Sequence, residues 1–198
     1  MTELFNRRNT GFFGLGSVIV LLISLLVFGN LNPDWSFLND FISMLGAKGQ
    51  PNAIWFNLIG FVLVGFLLFL FGLGYGLLLK DKLLAVLLSL FGIGFAFTAI
   101  PTDLELERGS AAKAHIVAIC LSLAFWLFGL ARMGSNKQLP DRVKYKANIA
   151  SGMLALAMVG AATELYSMPF AHRLVFSIVF GWTAINSIEL LSNSITNK

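Results

Sequence analysis

Six long apolar runs, at residues 12–30, 53–79, 83–101, 114–132, 147–166 and 170–192, constrain this chain more than anything else in it. A helix crosses a hydrocarbon core of roughly 30 Å with about 20 residues, at ~1.5 Å per residue. In lipid every backbone polar group must be satisfied within the protein, which leaves helices and closed barrels. Barrel strands alternate apolar and polar side chains over about ten residues. These runs are apolar on every face, so the reading is all-α: a polytopic membrane protein, a six-transmembrane-helix bundle in a single integral membrane domain over residues 1–198. Composition agrees, with 12% charged residues where a soluble domain carries roughly 25%.

The first run follows Arg7 and Arg8, as in a signal peptide. Its length and the bulky residues of "LVFGNLNPDW" argue for a retained span instead. The second run is longer than a bilayer needs and is expected to tilt or project.

Lysine and arginine set the orientation. Arg7, Arg8, Lys80, Lys82, Arg132, Lys137, Arg142, Lys144, Lys146 and Lys198 fall on one side of the six runs. Lys48, Arg108, Lys113 and Arg173 fall on the other. This asymmetry puts both termini in the cytoplasm, and the protein in the plasma membrane. The basic loop at 134–146 is explained by topology and by attraction to anionic headgroups. No basic stripe exceeds these loops, so nucleic acid is not a partner; membrane lipids are. Glycines inside the runs, among them Gly60, Gly65, Gly72, Gly74, Gly76, Gly92, Gly152 and Gly160, point to close helix packing. Such faces could also support a homo-oligomer. Cys120 is the single cysteine and reads as a buried small hydrophobe.

Polar residues inside or beside a bilayer are costly, and each asks for a reason. Most of them gather at the outer ends of the runs: Asp40, Ser43, Asn57, Asp103, His115, His172 and Arg173. Both histidines fall at one depth on one side. In "DWSFLNDFISMLG" the spacing predicts a short amphipathic helix on the outer surface, capped by Asp34 or Ser36 and ended by Gly46. Ser36, Asn39, Asp40 and Ser43 would share its polar face, turned either to water or over the mouth of the bundle. His115, His172 and Asp103 are the candidate ligands for a divalent metal such as zinc, although no local motif marks one. His172 and Arg173 beside Glu164 could equally close the last outer turn as an ion pair. On the cytoplasmic side Glu189 is expected to pair with Lys144 or Arg142.

The stretch "NDFISMLGAKGQPNAIWFNLIGFVLVG" resembles the characteristic segment of a bacterial and archaeal membrane family known as domain of unknown function 998. The residues that carry it are Asp40, Phe41, Ile42, Ser43, Leu45, Gly46, Gly49, Pro51, Phe56 and Asn57. Pro101, Asp103, His115 and the His172–Arg173 pair extend it. Phe41 stands where the family pattern has tyrosine. A more distant likeness is to the Frag1/DRAM/Sfk1 membrane proteins. The resemblance implies a multi-span bundle, brings no established activity, and points to the same outer residues.

Three functions fit these residues. The first is an outward-facing pocket, lined by the seven outer residues, that binds a lipid headgroup or small polar ligand and serves transport. The second is a structural or regulatory membrane protein whose polar residues tie loops together. The third is a metal-assisted lipid hydrolase with Asp40 as general base. It draws on a superficial likeness to alkaline ceramidases, whose site has three histidines where this chain has two. The balance leans away from an enzyme.

Overall fold

The computed structural model describes residues 4–102 and 109–192. Among them there is no strand, and six helices carry most of the chain. They are α1 (Arg7–Asn30), α2 (Ala53–Leu78), α3 (Lys82–Phe97), α4 (Ser110–Ser135), α5 (Asp141–Ala162) and α6 (Met168–Leu191). Helices α1, α2, α4 and α6 are long and apolar enough to cross a membrane. The other two are not of that kind. Helix α3 has 16 residues, a rise of only about 24 Å. It stops at Phe97 because Thr98 turns its hydroxyl back to the Phe95 carbonyl and Pro101 follows. Helix α5 begins at Asp141, inside the basic segment, so Arg142, Lys144 and Lys146 ride on its first turns.

Each helix packs on the next in sequence, and α6 packs on α1. Small residues make these contacts close. A Cβ on Gly72 would lie 2.5 Å from the Leu88 carbonyl carbon, and one on Gly76 2.3 Å from the Ala85 backbone. Gly92 comes as near to Phe69. Helices α2 and α3 therefore touch backbone to backbone, as glycine-rich membrane helices do. Gly14 plays the same part between α1 and α6, where a Cβ would meet the Ser187 hydroxyl and the Phe71 ring. By contrast, Gly152 and Gly181 face open space.

The interior is aromatic. Trp126, Phe56, Phe61 and Leu130 are wholly buried. Outside, Leu22, Leu26, Phe66, Val86, Phe128 and Leu156 are exposed. So large an apolar exterior matches a hydrocarbon solvent rather than water. Cys120 lies on this exterior and is exposed, not buried as the sequence suggested.

Helix α2 is not uniform. Residues Asn57–Leu63 form a π-helical turn between an opening α-turn, Ala53–Phe56, and the longer run Val64–Leu78. A π-turn inserts one extra residue and reorients the side chains on either side of it. Here it lets Phe56 and Phe61 both point inward, edge to face at 5.1 Å.

The loop between α1 and α2 departs from the amphipathic helix expected of it. Residues 34–40 form a series of turns, and the only helical piece is a 3₁₀ turn, Ile42–Gly46. Neither Asp34 nor Ser36 caps it; Phe41 stands at its cap position without a side-chain bond. The cause is local competition. The Asp40 carboxylate accepts from the Ser36 amide at 2.7 Å, and the Ser36 hydroxyl accepts from both Asn39 nitrogens. Short polar side chains that bond their own backbone favour turns over helix. Ile42 and Leu45 then fold inward and are buried, which seats the loop on the helices.

Candidate functional site

The 3₁₀ turn brings Ser43 over the gap between α4 and α6. His115 sits in the second turn of α4 and His172 in the second turn of α6. Ser43, His115, Ile119 and His172 line two spaces at once. One is a vestibule of about 600 Å³, bounded also by Asn39, Phe41, Thr102 and Ile116. The other is an inner cavity of about 60 Å³, walled by Phe61, Phe91, Phe95, Phe176 and Phe180. The histidines form the boundary between a polar-rimmed mouth and an aromatic interior.

His115 is buried. Its Nδ1 lies 3.1 Å from the Ile100 carbonyl oxygen. A carbonyl only accepts, so Nδ1 carries the proton and Nε2 is left with a lone pair. That Nε2 is buried and makes no hydrogen bond. The Thr98 carbonyl also stands near the ring. His172 is held by rings: Phe176 at 4.6 Å and Phe41 at 5.7 Å between centroids. Its Nδ1 is likewise buried without a partner. Buried polar groups are nearly always satisfied, and these two imidazole nitrogens in one wall are exceptions, as are Arg173 Nε and Nη2 close by.

A family model described as "Protein of unknown function (DUF998)" matches residues 15–188. The chain belongs to the DUF998 family. No curated protein and no solved structure matches it. The DUF998 match takes in all or part of every helix, the outer loop, Ser43 and both histidines.

Of the other predicted residues of this DUF998 chain, Asp40, Asn57 and Arg173 do not line the cavities of the histidines. Asn57 donates from Nδ2 to the Gly46 carbonyl at 2.9 Å and is buried. Asp40 accepts from Ser36. Arg173 donates from Nη1 to the Pro169 carbonyl, and its guanidinium lies over the rings of Phe37 at 5.3 Å and Trp35 at 5.7 Å. Asp40 is its acidic neighbour. Glu164 is exposed in a left-handed turn, and no ion pair joins it to His172 or Arg173 among the described residues. Asp103 lies outside the described residues. Among those described, no three His, Cys, Asp or Glu side chains gather as a metal would require. Of the three candidate metal ligands, the described residues hold His115 and His172, where a catalytic zinc takes three protein ligands and a structural zinc four.

Two polar networks at the other end of the helices went further than the sequence reading. Glu189 pairs with Arg142 at 2.7 Å and with Lys146; Lys144 instead pairs with Asp141. Lys146 and the Tyr75 hydroxyl both donate to the Asn186 side-chain oxygen. Helices α2, α5 and α6 are thereby joined through one amide. Asp81, in the tight turn between α2 and α3, was missed altogether. It caps α3 through the Leu84 amide and accepts from Arg132 and Asn136 at 2.9 and 3.0 Å. Burial works to raise its carboxyl, but the Leu84 amide, Arg132 and Asn136 outweigh it and hold the pKa below the ordinary carboxylate value.

Proposed function

We propose that this chain is a six-span protein of the plasma membrane with both termini cytoplasmic, and that it binds an amphipathic ligand from the outer leaflet. The observation that carries the binding reading is the shared wall of Ser43, His115 and His172 between vestibule and cavity. The vestibule's volume falls in the ordinary range for ligand sites, about 300–1,000 Å³. Ile116, on its rim, is exposed on the lipid-facing side of α4. A lipid can therefore reach the mouth sideways, its polar end at the histidines. The apolar groove between α2 and α3 is of similar volume but is lined by no polar side chain, so nothing in it would orient a headgroup. The lysine and arginine asymmetry supports the orientation.

A second reading also has a specific observation behind it. Asp40 and Asn57 spend their hydrogen bonds on loop backbone, as a purely structural outer cap would.

The two part in one experiment. The protein is purified in mild detergent and its co-purifying small molecules are extracted and identified by mass spectrometry. Binding predicts an amphipathic species retained near one per chain. It is lost in His115→Ala and in Ile119→Trp, which fills the shared wall, while both variants keep a cooperative thermal transition. Equal retention in all three proteins defeats the binding reading.

A further inference from the structure

From the lining of the two cavities we infer that the ligand's polar group is an uncharged hydroxyl, so that the site takes a lipid alcohol rather than a phosphate or an ammonium headgroup. This rests on the binding reading above.

The argument starts from charge. No Asp, Glu, Lys or Arg is among the described residues lining either space. The nearest cations in sequence line neither space: Arg173 lies over the rings of Trp35 and Phe37, and Lys113 is exposed. An anionic headgroup would enter a low-dielectric wall with no cation to meet it, and a buried unpaired charge is strongly disfavoured. An ammonium would find lone pairs but no counter-charge. A neutral group escapes both penalties.

Hydrogen-bond polarity then narrows the choice. The Ile100 carbonyl takes the His115 Nδ1 proton, so Nε2 can only accept. The ligand must bring a donor. A carbonyl ester or an ether oxygen brings none. A hydroxyl donates to His115 Nε2 and still has lone pairs for the Ser43 hydroxyl or for His172.

Size places the tail. The inner cavity of about 60 Å³ exceeds the ~10–15 Å³ that one water centre needs but is far short of an acyl chain. The vestibule is the only space of the two with room for one. The tail therefore leaves past Ile116 and Ile119 into lipid, with the hydroxyl end at the histidines.

The test uses three probes of one chain length: hexadecanol, its methyl ether and hexadecyl phosphate. Each is added at set mole fraction to the purified protein in detergent, and the bound fraction is read by native mass spectrometry. The ether removes the donor and adds one methyl group, which the vestibule of about 600 Å³ has room for. Wild type is expected to bind the alcohol about five- to tenfold more tightly than the ether, the scale of one neutral hydrogen bond. Hexadecyl phosphate should bind more weakly than the alcohol. His115→Phe should bind alcohol and ether alike. If that variant does not fold, the wild-type alcohol-to-ether ratio decides alone. Equal binding of alcohol and ether by wild type, or phosphate as the tightest probe, overturns the hydroxyl assignment and leaves the pocket standing. No binding of any probe by wild type overturns both.

Discussion

The Asn57 side chain and the Gly46 carbonyl meet at 2.9 Å, and the same contact fills the space a Cβ on Gly46 would need. That Cβ would sit 1.9 Å from Asn57 Oδ1. The pair pins the end of the outer 3₁₀ turn to the π-turn of α2, and so holds Ser43 over the histidines. Gly46→Ala should lower stability by about 1–3 kcal/mol through overpacking. Asn57→Ala should cost about 1–3 kcal/mol through the buried carbonyl it abandons. Thermal unfolding in detergent reads both; wild-type transitions in either would mean the loop is held elsewhere.

At the opposite end, Asp81 ties the α2–α3 turn to the end of α4. Arg132 is 43% exposed on its side chain, so the ion pair itself contributes at most about 1 kcal/mol. Losing the cap on α3 adds about 1 kcal/mol in Asp81→Ala. The pH dependence has a fixed sign. A carboxyl whose folded pKa is depressed contributes fully above its unfolded value of about 3.9, and the contribution is lost as pH falls through the lower folded value. The stability gap between wild type and Asp81→Asn should therefore shrink as unfolding is measured from pH 7 down toward pH 3. A gap that stays constant would assign it to something other than the charge.

The Lys146–Glu189 pair is nearly dry, with side chains 15% and 10% exposed. Glu189→Gln leaves Lys146 and Arg142 facing a neutral amide in place of their carboxylate. Breaking one partner of a buried pair costs about 3–5 kcal/mol. Tyr75→Phe removes one neutral hydrogen bond and leaves Asn186 paired with Lys146, a loss of about 1 kcal/mol. Chemical denaturation should rank the variants in that order, and the reverse ranking would contradict the network as described.

Glycines give a paired comparison. Gly72→Ala forces α2 off α3, since its Cβ would meet the Leu88 backbone at 2.5 Å. Gly152→Ala meets nothing and gains helix propensity of about 0.5–1 kcal/mol. Yield and melting temperature should fall for the first and hold or rise for the second.

How far the sequence led depends on the range of the interaction. Apolar runs declared helices because the signal is local and repeated over many residues. The ends of those helices were legible only where a breaker stood nearby, as Pro101 does after α3. The 34–46 loop misled because Ser36, Asn39 and Asp40 share a spacing that suits a helix face and a string of turns equally. Asp81 offered only an N-cap signal toward Leu84: its side-chain partners Arg132 and Asn136 lie 51 and 55 residues away. Matching depth did bring His115, His172 and Ser43 to one wall. It failed for Arg173 and Asn57, because depth says nothing of which way around a helix a side chain points.

The seam between α1 and α6 has a consequence in time. Gly14 rests on Ser187, so α1 has its seat on a helix made well after it. Until α6 arrives, α1 has α2 and the Ile42–Gly46 turn beside it, and the wall that His172 completes does not yet exist. The wall shared by the two spaces is therefore built from helices made at different times, and α6 adds the second histidine only after α1 to α5 have been made.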